Sequence, residues 1–344
     1  MLFWYARHQR DLPWRQTTDP YRIWLSEVIL QQTRVAQGLP YYEKFVAAFP
    51  TVHDLATAEE RDVLRLWQGL GYYSRARNLH QTAKLVVTEH GGKFPGNYAG
   101  LLKLRGIGPY TAAAIASFGF GEKVAVLDGN VFRVLARVFG IETDITTTTA
   151  KKQFTELANR LISPLQPALY NHAIMDFGAT QCVPVSPQCL FCPFALECEA
   201  NATGRQAALP VKKKKAAVRE RFFNYVVLEQ DGNLLLRERT GRDVWQGLYD
   251  FYLVETPEPA TWDDVAEDDF LRNLPPTATV SDASDEYLHV LSHQRIRARF
   301  WRVSLPEHTA LTLPAHTRWA TPDEADDLPK PVLVVNYLRQ YFFS

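Results

Sequence analysis

All four cysteines of this 344-residue chain lie in one 17-residue segment, which limits how that segment can fold. They are Cys182, Cys189, Cys192 and Cys198, with the spacing C-x6-C-x2-C-x5-C. Four thiolates this close in sequence can surround one metal centre, and no cysteine remains for another role. The segment is therefore expected to enclose a shared centre or to be closed by disulfides.

Three interpretations of the cysteines compete: two disulfides, a structural zinc ion and a [4Fe–4S] cluster. Disulfides need an oxidising compartment, and residues 1–4 lead straight into charged residues with no secretory signal. Zinc ribbons usually contain two separated C-x-x-C pairs, whereas this segment has one pair and two single cysteines. The spacing favours the iron–sulfur cluster and leaves zinc as the alternative.

Length and charge suggest two domains with different surfaces. No apolar run reaches the roughly 18 residues that a membrane-spanning helix requires. Residues 1–215 carry 25 Lys and Arg against 17 Asp and Glu, whereas the remaining residues carry 13 against 21. A basic half beside an acidic half suggests a polyanionic partner held mainly by the first half, with chance asymmetry as the alternative.

The pattern of apolar residues predicts a multi-domain protein, in which an all-α domain precedes a smaller α+β domain. Helices are predicted at 23–35, 59–66, 74–89 and 111–117, and a further helix in the acidic segment 263–269. Strands are predicted at 222–228, 234–236, 249–254, 287–291 and 296–303. Residues 199–217, including the lysine run at 212–215, are typical of a solvated linker.

Gly106 and Gly108 lie in the segment L-R-G-I-G-P-Y, between apolar residues on both sides. Two glycines let the backbone turn sharply, and Pro109 favours the start of a helix. The exposed N–H groups of such a turn can bind an anion such as a DNA phosphate. This is the helix–hairpin–helix pattern, although an ordinary tight turn between helices is the alternative.

With this hairpin and the cysteine segment in one chain, the sequence resembles the endonuclease III superfamily of base-excision DNA glycosylases. Finer details resemble its MutY branch, the adenine glycosylases that act on adenine mispaired with 8-oxoguanine. Residues 220–344 more weakly resemble the Nudix-like C-terminal domain of that branch. The segments that carry the resemblance are 12–15, 26–35, 69–79, 104–115, 127–131, 133–134 and the four cysteines.

The resemblance implies a helix–hairpin–helix glycosylase domain at 1–199, whose loop 182–198 holds a [4Fe–4S] cluster. It implies a linker at 200–217 and a Nudix-like domain that recognises 8-oxoguanine at 218–344. The implied activity is hydrolysis of the N-glycosidic bond of adenine in double-stranded DNA containing A·8-oxoguanine or A·G mispairs. A monomer in the bacterial cytoplasm, associated with the nucleoid and with no membrane partner, is also implied.

Release of a purine from DNA requires a protonated acid near the base, a carboxylate near the sugar and extrusion of the nucleotide. Glu27 is the candidate acid, because burial in its apolar segment would raise its pKa. A solvated glutamate is the alternative. Asp128 is the candidate carboxylate; D-G-N is also typical of a helix N-cap, and both roles are compatible. By resemblance, Asn130 and Tyr110 assist at the same centre.

Tyr110 also separates two kinds of enzyme within the superfamily. By resemblance, members that cut the DNA strand carry a lysine at this position, and a phenol cannot form the required imine. A monofunctional glycosylase is therefore expected. The alternatives are an endonuclease III-like glycosylase for oxidised pyrimidines and a non-catalytic DNA-binding iron–sulfur protein. Tyr110 and the additional domain disfavour the former, and the set Glu27, Asp128 and Asn130 disfavours the latter.

The resemblance further implies several groups of DNA-contacting residues. These are the wedge residues Gln31, Gln32 and Tyr72, the adenine-pocket residues Leu12, Trp14 and Arg15, the phosphate-binding Arg75 and Arg77, and the hairpin glycines Gly106 and Gly108. Between the cysteines, the segment is poor in charge, which weakens a phosphate-binding role for the cluster loop.

In the second domain, Ser292 and His293 match the last two residues of the family's Phe-Ser-His segment, which reads 8-oxoguanine. The first position here is Leu291, so the stacking ring of that segment is missing. Residues 295–300 alternate arginine with apolar residues, which predicts a strand with one basic face, or simply a solvated face. The glutamate-rich Nudix motif that binds magnesium is missing after Gly241 and Gly247, so recognition without nucleotide hydrolysis is expected.

Overall fold

The chain folds into two units, and each is built from two separate segments. The computed structural model describes residues 1–213, 218–281 and 283–343. Unit 1 comprises Met1–Thr57 and Asn78–Lys214, and unit 2 comprises Ala58–Arg77 and Lys215–Ser344. Residues 58–77 thus belong to unit 2, whereas the sequence placed them in the first domain; the exact domain boundaries stay a prediction. The predicted linker and lysine run include residues 214–217, which lie outside the described residues.

Unit 1 is helical, and its helices begin where the sequence supplies caps. Asp19 accepts a hydrogen bond from the Tyr21 N–H, and Pro20 occupies the first turn of the helix that follows. The helices are α1 Leu2–His8, α2 Pro20–Leu30, α3 Val35–Ala48, α4 Val52–Thr57, α5 Glu60–Trp67, α6 Ser74–His90, α7 Tyr98–Leu101, α8 Pro109–Phe120, α9 Gly129–Val138, α10 Thr148–Leu161, α11 Pro167–Asp176 and α12 Glu199–Ala202. Of these, α5 and the first turn of α6 belong to unit 2.

The predicted helices are confirmed within a few residues, with one correction. The helix predicted at 23–35 ends at Leu30, because the chain leaves the helical conformation at Gln31 and Gln32 has a φ of +57°. Short turns of other helix types occur at Pro13–Arg15, Phe177–Gln181 and Cys189–Phe191. No helix among the described residues is both long and apolar enough to cross a bilayer.

Close packing of small residues brings the site-bearing helices of unit 1 together. The Ala-rich α8 is buried over Thr111–Phe118 and packs on α2. A separate cluster of buried side chains, including Trp4, Phe154 and Phe177, packs around α9 and α11. Small side chains allow α8 to approach its neighbour closely, so residues near the start of α8 lie close to α2.

Unit 2 contains a mixed sheet of seven strands in the described residues. The strands are β1 Arg219–Gln230, β2 Asn233–Glu238, β3 Tyr249–Thr256, β4 Thr279–Val280, β5 Tyr287–Val290, β6 Gln294–Ser304 and β7 Thr317–Ala320. The order is β4-β6-β1-β3-β2-β7, and β5 also pairs with β6. Strands β1 and β6 are parallel, and the other neighbours are antiparallel.

Three helices complete unit 2: α13 Trp262–Ala266, α14 Pro322–Asp327 and α15 Val332–Tyr341. Helix α15 covers the sheet, where Tyr337 stacks on Phe300 with ring centres 4.1 Å apart. The predicted alternation along β6 is confirmed, since Ile296, Ala298 and Phe300 are buried. The predicted order, an all-α domain followed by a smaller α+β domain, is also confirmed.

Candidate active site and base-recognition cavity

A cavity of about 370 Å³ in unit 1 brings the predicted catalytic residues together. We call it the carboxylate cavity, and its defining residues are Glu27, Tyr110, Asp128 and Asn130. Glu27 lies on α2, Tyr110 lies in the first turn of α8, and the other two lie at the start of α9. Leu12, Trp14 and Arg15, the residues predicted for an adenine pocket, also line this cavity.

Glu27 is a buried carboxyl group that accepts a hydrogen bond from Tyr110. Its side chain is 6% exposed, and the Tyr110 hydroxyl donates to Oε2 at 2.5 Å. Burial raises the pKa of Glu27 to about 7, although the Tyr110 hydrogen bond and Arg15 oppose the shift. The predicted burial is confirmed, and a carboxyl group with this pKa can hold a proton at neutral pH.

Tyr110 is the hydrogen-bond donor in this pair. Its hydroxyl is buried, and burial and the nearby charge of Glu27 raise the pKa of Tyr110 well above its usual value. The phenol therefore stays protonated and donates to Glu27 whenever that group is ionised. Tyr110 thus orients the carboxyl group within the cavity.

Asp128 has a different environment, because it is surrounded by donors. It caps α9, where Oδ1 accepts from the Val131 N–H at 2.7 Å and Oδ2 accepts from Asn130 Nδ2 at 2.8 Å. Burial raises the pKa of Asp128, whereas these hydrogen bonds and Arg133 favour its charged form. The predicted N-cap is confirmed, and the carboxylate is held in one orientation.

Arg133 fixes the orientation of Asn130. Its Nη2 donates to Asn130 Oδ1 at 2.8 Å and to the Gly178 carbonyl at 2.6 Å. The Asn130 oxygen is thereby engaged, which leaves its NH₂ group directed at Asp128. A Cβ at Gly178 would lie 2.7 Å from the Asn130 Cβ, so this contact requires glycine.

Arg15 is neutralised by an acidic residue that sequence reasoning did not identify. Its two terminal nitrogens donate to the buried Asp176 carboxylate at 2.5 and 2.6 Å, and Arg10 Nε donates to it at 2.7 Å. Removal of Asp176 would leave two arginines unpaired beside the cavity. Arg15 therefore lines the cavity as half of a fixed ion pair.

His172 is a second residue of the carboxylate cavity that the sequence did not reveal. Its ring stacks on Phe118 with centres 4.0 Å apart. Burial, together with the charge of Arg15, lowers the pKa of His172 to about 3, so its imidazole is neutral. The available signal was the polar spacing of Asn171, His172 and Asp176 on an otherwise apolar helix, α11.

The two hairpin glycines differ in whether the fold requires them. Gly106 has a φ of +84°, and a Cβ there would lie 3.0 Å from Thr82 Oγ1. Gly108 has an ordinary φ of −88° and precedes Pro109 at the start of α8. A Cβ at Gly108 would meet nothing within 4 Å, so the fold itself does not require glycine there. The backbone at Gly108 is open to approach by a ligand.

The four cysteines line one pocket in unit 1, together with Arg137, Phe177 and Phe194. All four thiols are free, which disfavours the disulfide interpretation. Arg137 Nη1 lies 3.5 Å from Cys182 Sγ, and the Phe194 N–H donates to Cys192 Sγ at 3.4 Å. Within the described residues, no three such ligands converge closely enough for a single metal ion. Four cysteine side chains that line one pocket fit a [4Fe–4S] cluster, whose ligands are cysteine thiolates.

A second cavity, of about 400 Å³, lies entirely within unit 2. We call it the aromatic cavity, and its defining residues are Tyr72, Trp245, His289, Ser292 and His293. Ser292 and His293 lie in the turn between β5 and β6, which the Leu291 N–H closes by donating to the Gln294 carbonyl at 2.8 Å. The structure thus brings together a predicted wedge residue and the two predicted readers.

Two of the predicted wedge residues share an unusual backbone conformation. Gln32 in unit 1 and Tyr72 in unit 2 have φ angles of +57° and +49°. A non-glycine residue in this region costs on the order of 1–3 kcal/mol, and such strain clusters at functional sites. Gln31 directly precedes Gln32, beyond the end of α2.

The predicted phosphate contact of Arg75 needs correction. Arg75 is 9% exposed, and its Nη2 donates to the Leu70 and Gly71 carbonyls at 3.4 and 3.1 Å. Its guanidinium also lies over the Trp67 and Tyr72 rings. Arg75 therefore stabilises the loop that carries Tyr72, instead of presenting its charge to a ligand.

Two other arginines, Arg77 and Arg297, also bind groups of the protein itself. Arg77 Nη1 donates to the Gln246 carbonyl at 2.5 Å, which connects the two chain segments of unit 2. On β6, Arg297 is paired with Glu286 at 2.6 Å and Glu220 at 3.8 Å. The basic face predicted for β6 is therefore partly neutralised within the fold.

Comparison with known proteins agrees with both units. Residues 25–160 match the family described as HhH-GPD superfamily base excision DNA repair protein, and residues 224–340 match the NUDIX domain. The adenine DNA glycosylase of Homo sapiens is 34% identical over 94% of this chain and 70% of that protein. That of Mus musculus is 34% identical over 99% of this chain and 77% of that protein.

The chain belongs to the adenine DNA glycosylase family. Membership confirms the predicted activity class, a base-excision DNA glycosylase that acts on N-glycosidic bonds. Among solved structures, a thermostable thymine-DNA glycosylase matches with a TM-score of 0.55 and 31% identity, over 59% of this chain and 93% of that one. A trapped endonuclease III–DNA intermediate matches in fold, with a TM-score of 0.52, 21% identity and coverage of 59% and 92%.

Proposed function

We propose that the protein removes adenine from double-stranded DNA, where adenine is mispaired with 8-oxoguanine or guanine, by hydrolysis of the N-glycosidic bond. The main support for this proposal is that Glu27 and Asp128 line the same cavity but have different surroundings. Burial raises the pKa of both carboxyl groups, to about 7 for Glu27, whereas hydrogen bonds from the Val131 N–H and Asn130 favour the charged form of Asp128.

In the proposed reaction, protonated Glu27 donates to a ring nitrogen of the extruded adenine. This weakens the C1′–N9 bond, whose electron pair leaves with the base. The sugar develops positive charge, which the Asp128 carboxylate stabilises, and Asn130 and Arg133 hold that carboxylate in place. Glu27, now ionised, accepts a proton from the water that attacks C1′.

Strand cleavage is not expected to accompany base release. Tyr110 occupies the first turn of α8, and its hydroxyl donates to Glu27. A phenol cannot form the imine that strand cleavage by a lyase requires. We therefore propose a monofunctional glycosylase, and the resemblance adds the proposal that it acts as a monomer.

Binding of the duplex is assigned to three places. The hairpin at Gly106 and Gly108 binds phosphate, Gln31 and Gln32 act as wedges, and Leu12, Trp14 and Arg15 line the adenine pocket. Tyr72, Ser292 and His293 contact the base opposite adenine, and Arg77 contacts phosphate. The open backbone at Gly108 and the strained backbone at Gln32 and Tyr72 support the roles of these three residues. The lining of the two cavities supports the adenine-pocket residues and the roles of Arg77, Ser292 and His293.

Cys182, Cys189, Cys192 and Cys198 are proposed to hold a [4Fe–4S] cluster. When bound, the cluster would cross-link the loop 182–198, and hydrolysis requires no electron from it. The N–H groups of Arg137 and Phe194 near two of the sulfurs suit thiolate ligands. Iron and sulfide analysis is expected to give about four of each per chain, whereas one zinc per chain would contradict the assignment.

The test of function uses purified protein and duplexes with A·8-oxoguanine, A·G, A·T or an oxidised pyrimidine. After incubation, heating in alkali cuts the strand wherever a base has been lost. We expect cleavage at adenine in the first two duplexes only, and little cleavage before alkali treatment. Cleavage at the oxidised pyrimidine, or an intact strand in all four, would overturn the proposal.

A further inference from the structure

Trp245 and His289 line the aromatic cavity, and the proposed function gives them no role. Their rings meet edge to face, with centres 5.3 Å apart and planes at 62°. They share the cavity with the hydroxyl of Ser292 and the imidazole of His293. Flat rings for stacking beside a few hydrogen-bonding groups are the chemistry that recognises a nucleobase.

The backbone at Trp245 is strained in the same sense as at Tyr72. Trp245 has a φ of +62°, a region that glycine or asparagine usually occupies. The turn around it is closed by the Gly247 N–H, which donates to the Arg239 carbonyl at 2.8 Å. Tyr72 and Trp245, two bulky aromatic residues from separate segments, therefore line one cavity, and each has a left-handed backbone conformation. Such strain persists where the side chain is needed in a fixed place.

The indole of Trp245 is held firmly. It is 7% exposed and meets the Phe223 ring edge to face, with centres 6.1 Å apart. The Arg239 guanidinium lies 6.0 Å from the indole centre and is itself paired with Asp250 at 2.8 Å. A ring fixed in this way is preorganised for stacking, because little freedom remains to be lost on binding.

We propose that Trp245, backed by His289, forms the aromatic wall against which the base opposite the target adenine is read. Trp245 and His289 would then determine specificity for the base opposite adenine. This inference rests on the function proposed above. Leu291, at the edge of the same cavity, is aliphatic and offers no ring. The aromatic contact in this chain therefore comes from the turn before β3 and from β5.

The polar groups of the cavity suit an 8-oxopurine. Compared with guanine, 8-oxoguanine carries an oxygen on C8 and a hydrogen on N7, so it presents both an acceptor and a donor. Burial lowers the pKa of His289, so its neutral imidazole can accept from the N7 hydrogen. The Ser292 hydroxyl, 3.3 Å from His293 Nδ1, can donate to the C8 oxygen.

The test compares single-turnover rates of adenine release from A·8-oxoguanine and A·G duplexes. For Trp245→Leu, we expect the A·8-oxoguanine rate to fall about tenfold while the A·G rate changes little, because the wall holds the base where His289 and Ser292 can reach the N7 hydrogen and C8 oxygen that guanine lacks. Trp245→Phe should restore most of the ratio between the two rates. Trp262→Leu is the matched control, since Trp262 packs on Trp301 in another part of unit 2.

An unchanged ratio in folded Trp245→Leu, or an equal fall of both rates, would overturn the proposal. If that variant fails to fold, His289→Leu is tested in its place. We expect its ratio of the A·8-oxoguanine rate to the A·G rate to fall, and an unchanged ratio would overturn the inference. Failure of the wild-type protein to release adenine from either duplex would instead overturn the proposed function. The two failures are therefore distinguishable.

Discussion

The carboxylate cavity and the aromatic cavity achieve fixed geometry by different physical means. In the carboxylate cavity, hydrogen bonds and ion pairs among buried groups fix the side chains, as between Tyr110 and Glu27 or Asn130 and Asp128. In the aromatic cavity, a strained backbone and ring packing do so, as at Tyr72 and Trp245. Proton transfer depends on burial and charge, whereas recognition of a flat base depends on shape and stacking.

The largest expected effect separates chemistry from binding. Glu27→Gln keeps the shape of the side chain and an acceptor for Tyr110 but removes the proton donor. Adenine release should fall by about 10³-fold, within the range for general acids, with DNA affinity nearly unchanged. Single-turnover rates and fluorescence anisotropy measure the two quantities. The exposed Glu43→Gln is the control, and substantial release by the Glu27 variant would remove Glu27 from its role.

The second prediction concerns the charge beside the sugar. In Asp128→Asn, the side-chain oxygen can still cap α9, but the negative charge is lost. The new NH₂ group would face Asn130 Nδ2 and lose that hydrogen bond, so we expect a lower melting temperature with the fold retained, and a fall of about 10²-fold in adenine release. Asp19→Asn, which alters the cap of α2 in the same way, should retain the wild-type rate. Equal rates for the two variants would show that Asp128 is only a cap.

Sequence reasoning predicted those parts of the fold that depend on local patterns. The cap at Asp128, the helix start at Pro109, the alternation along β6 and the four defining residues of the carboxylate cavity all lie in short recognisable motifs. Contacts between distant segments were not predictable in this way. The pairing of Asp176 with Arg15 spans 161 residues, and the stacking of His172 on Phe118 joins α11 to α8.

The error at Arg75 has a similar origin. In the sequence, Arg75 and Arg77 are two charges close to a glycine-rich loop and suggest phosphate binding. In the fold, backbone carbonyls and two aromatic rings of unit 2 surround the Arg75 guanidinium. Whether an arginine faces solvent or its own chain depends on how the loop closes, which a local pattern does not encode.

A third prediction follows from the raised pKa of Glu27. Its proton is present below pH 7 and is lost as the pH rises through about 7. The single-turnover rate should therefore fall about tenfold between pH 6 and pH 8, as expected when one group with this pKa must be protonated. The same profile should appear with A·8-oxoguanine and A·G duplexes. A rate that rises or stays constant across this interval would contradict the proposed acid.

The smallest expected effect belongs to the aromatic cavity. Ser292→Ala removes one exposed hydrogen-bonding group, which is worth about 0.5–1.5 kcal/mol. We expect a several-fold loss of affinity for the A·8-oxoguanine duplex, little loss for A·G, and an unchanged pH midpoint of the rate. Equilibrium binding and the pH profile test this together. A shift in the pH midpoint of the release rate would show that Ser292 affects the titration of Glu27, and would contradict the separate roles of the two cavities.

The most direct test of the account is the titration of Glu27 itself. In protein labelled with ¹³C at glutamate side chains, the carboxyl signal missing from Glu27→Gln identifies this residue, and its shift can be followed with pH by NMR. We expect a midpoint near pH 7, because burial raises the pKa of Glu27 to about 7. A midpoint near 4.5, the ordinary value of a glutamate, would contradict it.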